Sequence, residues 1–390
     1  MKILQVVPYF HWSYGGPVKV VFDISRELVN KGHEVSIYTT DVGMGGKLDN
    51  NSQIKIENVE TKYFKCLNNW IAQKMKLHIS PAMQAEIKKN IKNYDVVHLH
   101  EWRGIPNIYV WYYAKKYKVP YVLQAHGASP TIIGNQNKIM TISKLLFDTI
   151  IGKKIIKESS KFIALTKSEA DKYKKLGIKD NKIEVIPNGI DLAEYANPPT
   201  QGEFKKKNKI KEYEKIILYL GRIDNTKGID LLIDVFSDLL NEIHDIKLVI
   251  IGPDYGFLKY LKNKVKKLKI EDHILFKDPV YDQEKYEAYR DAFVFVTPSF
   301  FGFPLTFIES CALGTPIITT NKSEKLEWIK KIGFIVEYDK KDLKNAISIL
   351  LNNNKLRNNL SKKCENIVKE QYNWSNIAKK LETLYEKIII

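Results

Sequence analysis

Short β-branched runs alternate with helix-length segments along the whole chain, and the series runs twice. Strand-like runs fall at 3–8, 34–40, 96–99, 121–125, 161–166 and 184–187, and again at 216–220, 247–251, 274–276, 293–297, 316–319 and 334–336. Several are continuous apolar runs, the pattern of strands covered on both faces of a parallel sheet. At 390 residues the chain exceeds what one core ordinarily holds. The pattern predicts an α/β protein of two doubly wound, Rossmann-like parallel-sheet domains. The first spans 1–193 and the second 215–372. Residues 194–214, with Pro198, Pro199, Gly202 and a lysine run, read as a linker. In 373–390, Ile377, Leu381, Leu384 and Ile388 share one face of a final helix.

Composition narrows the class. A hydrophobic content of 44% fits a folded globular protein rather than a disordered one. No apolar run approaches the ~18–20 residues of a membrane span, and the opening MKILQVVPYF reads as a first strand rather than a cleavable leader. Cys66, Cys311 and Cys364 are scattered and odd in number, which points to a reducing, cytoplasmic compartment. The formal charge is +17, yet only Arg26, Arg103, Arg222, Arg290 and Arg357 are arginines among 62 basic residues. Readers of nucleic acid spend arginine on bidentate contacts, so no nucleic-acid partner is expected. The lysines leave open a solvated surface or attraction to an anionic membrane face.

Ligands of open α/β sheets sit at the carboxyl ends of strands, and there the polar residues collect. In YLGRIDNTKGID, Gly221 ends a strand and Arg222 and Lys227 bracket the turn into a helix. Two cations beside a helix N-terminus suit a diphosphate. In PSFFGFPLTFIES, Pro304 can take a first helical position, leaving the amides of Leu305 and Thr306 pointing outward, with Glu309 about one turn in. That carboxylate can accept hydrogen bonds from two vicinal hydroxyls, or simply complement the helix dipole. Gly15 and Gly16 follow the first strand and allow close backbone approach to a ligand, as would any tight turn. Glu101 and Arg103 follow one strand, and His126 with Gly127 another.

In order and spacing these motifs resemble the GT-B-fold retaining glycosyltransferases of family 4 over almost the whole chain. The matching elements are the Gly15-Gly16 loop, His126-Gly127, NGID at 188–191, GR…KG at 221–228 and ESCALGTPII at 309–318. The resemblance implies two domains facing a cleft, the first binding an acceptor and the second a nucleotide sugar. It assigns Arg222 and Lys227 to the diphosphate, Glu309 to the ribose, and Val280 and Asp282 to the base. Phe303, Leu305 and Thr306 fall in the loop that holds sugar and phosphate, and Gly221 counts among the donor-binding residues. Gly15 and Gly16 face the donor, His126 the reacting sugar, and Glu101 and Arg103 fall on the acceptor side.

The implied reaction moves a sugar from a UDP- or GDP-linked donor to a hydroxyl of a glycan or glycolipid, without cofactor or essential metal. Residues 61–93 carry seven lysines against Glu86, together with Trp70, Ile71, Met75 and Leu77, and could touch anionic lipid or be a solvated surface. One position departs from the family: its E-x7-E pattern has an acid eight residues before the second, where this chain has Phe301. That departure keeps two alternatives open, a non-catalytic nucleotide-sugar-binding subunit and a GT-B-fold epimerase. With the phosphate and ribose elements intact, the sugar itself is the part held differently. Phe301→Glu should therefore change donor-sugar preference more than nucleotide affinity, as read from competing nucleotide sugars; a change confined to nucleotide binding would contradict this.

Overall fold

The computed structural model describes residues 1–43, 46–127, 147–300, 302–322 and 326–389. The chain divides into two compact units, Met1–Gly189 with Trp374–Ile390, and Ile190–Asn373.

The first unit is built on a seven-stranded sheet. Its strands are β1 (Lys2–Tyr9), β2 (Glu34–Thr40), β3 (Val59–Phe64), β4 (Val96–His100), β5 (Tyr121–Gln124), β6 (Lys161–Ala164) and β7 (Ile183–Val185). They lie in the order β3-β2-β1-β4-β5-β6-β7, every pair parallel. Alternate residues of β1 serve opposite faces. Leu4 and Val6 pack with Val97, Leu99, Leu123 and Phe162, whereas Val7 packs with Ile37, Val18 and Val21. Both faces are thus apolar, which is why the strands read as unbroken hydrophobic runs. The edge strand β3 has no such run. Its sequence VETKYF is at most half-buried and pairs with β2 along one edge, so hydrophobicity alone does not reveal it.

Helix Trp374–Ile389 belongs to this first unit. It packs on helix Gly16–Asn30, and the indole Nε1 of Trp374 donates to Asp23 Oδ2 at 2.8 Å. Asp23 is buried and also meets Lys19 at 3.0 Å and Arg26 at 3.4 Å, so its charge is paired. Ile377, Leu381 and Leu384 are buried as their spacing predicts, joined by Tyr385, while Ile388 is only half-buried.

The second unit carries a six-stranded sheet. Its strands are β8 (Lys215–Leu220), β9 (Ile246–Ile251), β10 (Ile274–Lys277), β11 (Ala292–Thr297), β12 (Ile317–Thr320) and β13 (Gly333–Val336). The order is β10-β9-β8-β11-β12-β13, again all parallel. In both units chain order reverses beside the first strand, between β1 and β4 and between β8 and β11. Connections there leave in opposite directions and open a crevice at the carboxyl ends.

The segment 194–214 is not a free linker; it is folded onto the second unit. Phe204 is fully buried, and the amides of Gly202 and Lys205 donate to Asp291 at 2.5 and 2.9 Å. Lys207 bonds both carboxylate oxygens of Glu287 at 2.7 Å. The lysine run thus finds its acids some 80 residues later in sequence, a partnership that local composition does not show. Among the described residues no helix is long and apolar enough to cross a membrane.

Candidate functional site

In the second unit the crevice is bordered by the turn after β8 and the loop after β11. Gly221 follows β8, and its carbonyl lies 1.9 Å from where a Cβ on Gly252 would stand. Gly252 follows β9 with φ 151°, so two strand-end backbones touch at a point only glycine permits. Arg222 is exposed, its guanidinium 5.3 Å from the centre of the Tyr255 ring, and its carbonyl accepts from the Tyr219 hydroxyl at 2.8 Å. Asp224 accepts from the Thr226 amide at 2.8 Å, and Gly228, at φ 70°, caps helix Ile229–Leu240.

Lys227 lies inside this turn, half-buried. Burial holds its pKa below the ordinary lysine value, and the neighbouring Arg222 charge adds to that, with Asp224 working the other way. The turn thus holds a partly desolvated cation within electrostatic reach of the exposed Arg222 charge. The Ser299 amide donates to the Lys227 carbonyl at 3.2 Å, tying the turn to the loop after β11.

That loop leads into helix Leu305–Ala312. Pro304 is its N-cap, in extended conformation (φ −72°, ψ 123°), and the helix has no side-chain cap. The first-helical-position reading of Pro304 is therefore corrected by one residue: its carbonyl closes the first turn by accepting from Phe307 at 3.2 Å. Leu305 and Thr306 begin the helix, where amides lack intrahelical acceptors. The Phe303 side chain turns inward, its ring 5.5 Å from Tyr372 and 6.2 Å from Trp328, so a ligand would meet its backbone. Phe301 lies outside the described residues.

Glu309 is held at both oxygens by helix Asp282–Asp291. Lys285 Nζ lies 3.0 Å from Oε1, and the Tyr289 hydroxyl donates to Oε2 at 3.1 Å. Burial and the adjacent carboxylate push the Tyr289 hydroxyl far above its usual pKa, so it stays a donor. Lys285 and Tyr289, four residues apart on one helical face, carry no local signal of this role. Val280 is buried, and Asp282 is exposed at the start of its helix with φ 46°.

In the first unit, Gly15 (φ 70°) caps helix Gly16–Asn30, with open space around a would-be Cβ. Conformation rather than crowding calls for glycine there. Glu101 follows β4 at φ 66° and accepts from the Tyr9 hydroxyl at 2.9 Å. Burial raises its carboxyl pKa against the pull of Tyr9, Lys76 and Arg103. Arg103 is spent internally: it makes a bidentate pair with Asp148 at 2.8 and 2.7 Å and lies 4.1 Å over the Trp102 ring. That geometry sets it apart from the acceptor-side role the resemblance implies.

His126 heads a buried cluster that sequence reading largely missed. Its Nε2 lies 2.7 Å from His100 Nδ1, and His100 Nε2 lies 2.5 Å from Gln5 Oε1. His98 stacks on His100 at 4.2 Å and meets the Tyr385 hydroxyl at 2.7 Å. The available signal was His98-x-His100 on one strand, which places both rings on one face. Glu169 supports the following turn, accepting from Gly127 at 3.2 Å and Leu165 at 2.6 Å. It stands three residues after Thr166, the helix N-cap whose hydroxyl accepts from its amide, a spacing that marks a capping box.

Two units, each built on an all-parallel doubly wound sheet, are the architecture of the GT-B glycosyltransferases. The chain belongs to the family 4 glycosyltransferases: the family described as Glycosyltransferase Family 4 matches residues 14–194, and Glycosyl transferases group 1 matches 200–367. It is 25% identical to an uncharacterized glycosyltransferase of Methanocaldococcus jannaschii over 99% of this chain and 98% of that one. Sucrose-phosphate synthase from Thermosynechococcus elongatus superposes with a TM-score of 0.79 at 20% identity, covering 100% of this chain and 99% of that one. Anabaena HepE, solved in complex with UDP-glucose, gives 0.75 at 14% identity, covering 99% and 100%.

The histidine cluster predicts a pH dependence of stability. Burial pushes His98 and His126 each down to about 3, and His100 well below its ordinary value. Between those values and ~6.5 the unfolded chain binds protons that the fold refuses, so stability is complete above ~6.5 and lost as pH falls. Each ring contributes up to about 2 kcal/mol of that loss by pH 5. His78, pushed down to about 4 by burial, adds to it, and Glu101 opposes it. Urea titration of the whole chain should show a clearly lower midpoint at pH 5 than at pH 7.5; equal midpoints would mean the rings accept protons within the fold.

Proposed function

We propose that this enzyme transfers a sugar from a UDP- or GDP-linked donor to a hydroxyl acceptor, with retention of anomeric configuration. The observation that carries the reading is the placement of Arg222 and the partly buried Lys227 in the turn after β8, at the switch point, where the Arg222 charge works against that of Lys227. A diphosphate relieves that repulsion, and the uncapped helix Leu305–Ala312 adds backbone donors nearby in sequence to the Ser299 anchor. Glu309, steadied by Lys285 and Tyr289, keeps lone pairs for ribose hydroxyls. The UDP-glucose bound by HepE supports this class of donor.

In this reading Arg222 and Lys227 stabilise charge growing on the departing diphosphate, work that would otherwise fall to a metal ion. The leaving phosphate takes the acceptor proton on the same face, so no separate base is required. His126 is assigned to a hydroxyl of the reacting sugar, and Gly15 and Gly16 to the donor.

The acceptor is a glycan or glycolipid, and the surface favours a peripheral membrane location on the cytoplasmic side. Leu67, Trp70 and Met75 are 67%, 64% and 53% exposed, beside the exposed Lys65, Lys74 and Lys76. Exposed tryptophan and leucine among lysines suit the interface of an anionic bilayer.

Arg222→Ala should lower turnover by ~10²–10³-fold, the usual cost of one charged transition-state donor; transfer near the wild-type rate would reject the assignment. For the membrane, the protein should float with vesicles containing anionic lipid at physiological salt and lose this with Trp70→Ser. Failure of the unaltered protein to float would remove the lipid surface from the proposal.

A further inference from the structure

The contacts of His126 define more than its location. His100 Nε2 faces Gln5 Oε1, a carbonyl oxygen that can only accept, so His100 carries its proton on Nε2. A neutral imidazole has one N–H, which makes His100 Nδ1 an acceptor. The bond to His126 Nε2 at 2.7 Å therefore needs the proton on the His126 side. That leaves His126 Nδ1 with a lone pair, and this buried atom has no hydrogen-bond partner among the described residues. The rings stay neutral because burial disfavours their charged forms.

We propose that Gln5 and His100 are positioning residues that fix the tautomer of His126, so that its Nδ1 is presented as an acceptor to a substrate hydroxyl. The order runs from β1 through β4 to the turn after β5: the Gln5 carbonyl sets His100, and His100 sets His126. Gln5 and His100 sit on neighbouring strands, with Gln5 registered against His98, so the sheet itself fixes their spacing. An unsatisfied buried nitrogen costs stability, and a sugar hydroxyl donating to it would recover that cost on binding. The inference rests on the reading of His126 as facing the reacting sugar, but the tautomer is measurable without any sugar.

The test is a long-range proton–nitrogen correlation spectrum of the full chain labelled with ¹⁵N-histidine, the His126 signals assigned by their loss in His126→Gln. The expected pattern is a pyridine-like Nδ1 and a protonated Nε2 at His126; a protonated Nδ1 overturns the proposal. Gln5→Leu should blur or reverse that pattern and lower kcat by about 10–100-fold, as when an orienting partner is removed from a functional histidine, with the KM for nucleotide sugar little changed. An unaltered tautomer in folded Gln5→Leu also overturns the relay. Should Gln5→Leu fail to fold, the spectrum of the unaltered protein still decides. The expected tautomer in a protein showing no sugar transfer would support the relay while removing the functional reading.

Discussion

Parallel strands cannot be joined by a tight turn, and that requirement organises both units. Each strand must be reached by a crossover that covers one face of the sheet. Because the first strand of each unit has neighbours reached in opposite directions, the covering helices diverge at β1/β4 and at β8/β11. Glu101 follows β4, Arg222 and Lys227 follow β8 and the helix bearing Glu309 follows β11, all beside these two places, while His126 stands one strand further along, after β5. The chemistry is thus located by backbone hydrogen bonding before any functional side chain is considered.

At the β8 end, electrostatics does what composition could not. The chain has an abundance of lysine, and most of its charge lies in solvent, where it is screened. Lys227 differs because it is partly withdrawn from water and set against Arg222. Glu309 shows the complementary arrangement, an acid steadied by one cation and one hydroxyl without being buried beyond reach. A site able to bind a dianion beside a diol needs both conditions close together.

Much of this was legible in the sequence, for reasons that differ by element. Strands buried on both faces announce themselves as apolar runs, and twelve of the thirteen named strands coincide with a strand-like stretch of the sequence; the edge strand β3, alternating Glu60 and Lys62 with half-buried residues, does not. Glycine and cations at strand ends were readable because few residue types tolerate those positions. What stayed hidden were partnerships across sequence: Lys285 and Tyr289 on Glu309, Asp291 on the 202–205 amides, Asp148 on Arg103. The histidine cluster was half visible. His100 and His126 stood at strand ends, but only three-dimensional packing brings Gln5 and Tyr385 to them.

Helix Trp374–Ile389 places Tyr385 against His98 in the first unit, although the whole second unit intervenes in the chain. During synthesis the first unit cannot finish its core when Gly189 leaves the ribosome. It waits for roughly 200 further residues, ~10–40 s at ordinary elongation rates, holding an open groove along helix Gly16–Asn30. These turns thus act as a latch, so a nascent chain released before them would carry a folded second unit and a first unit still missing its seal.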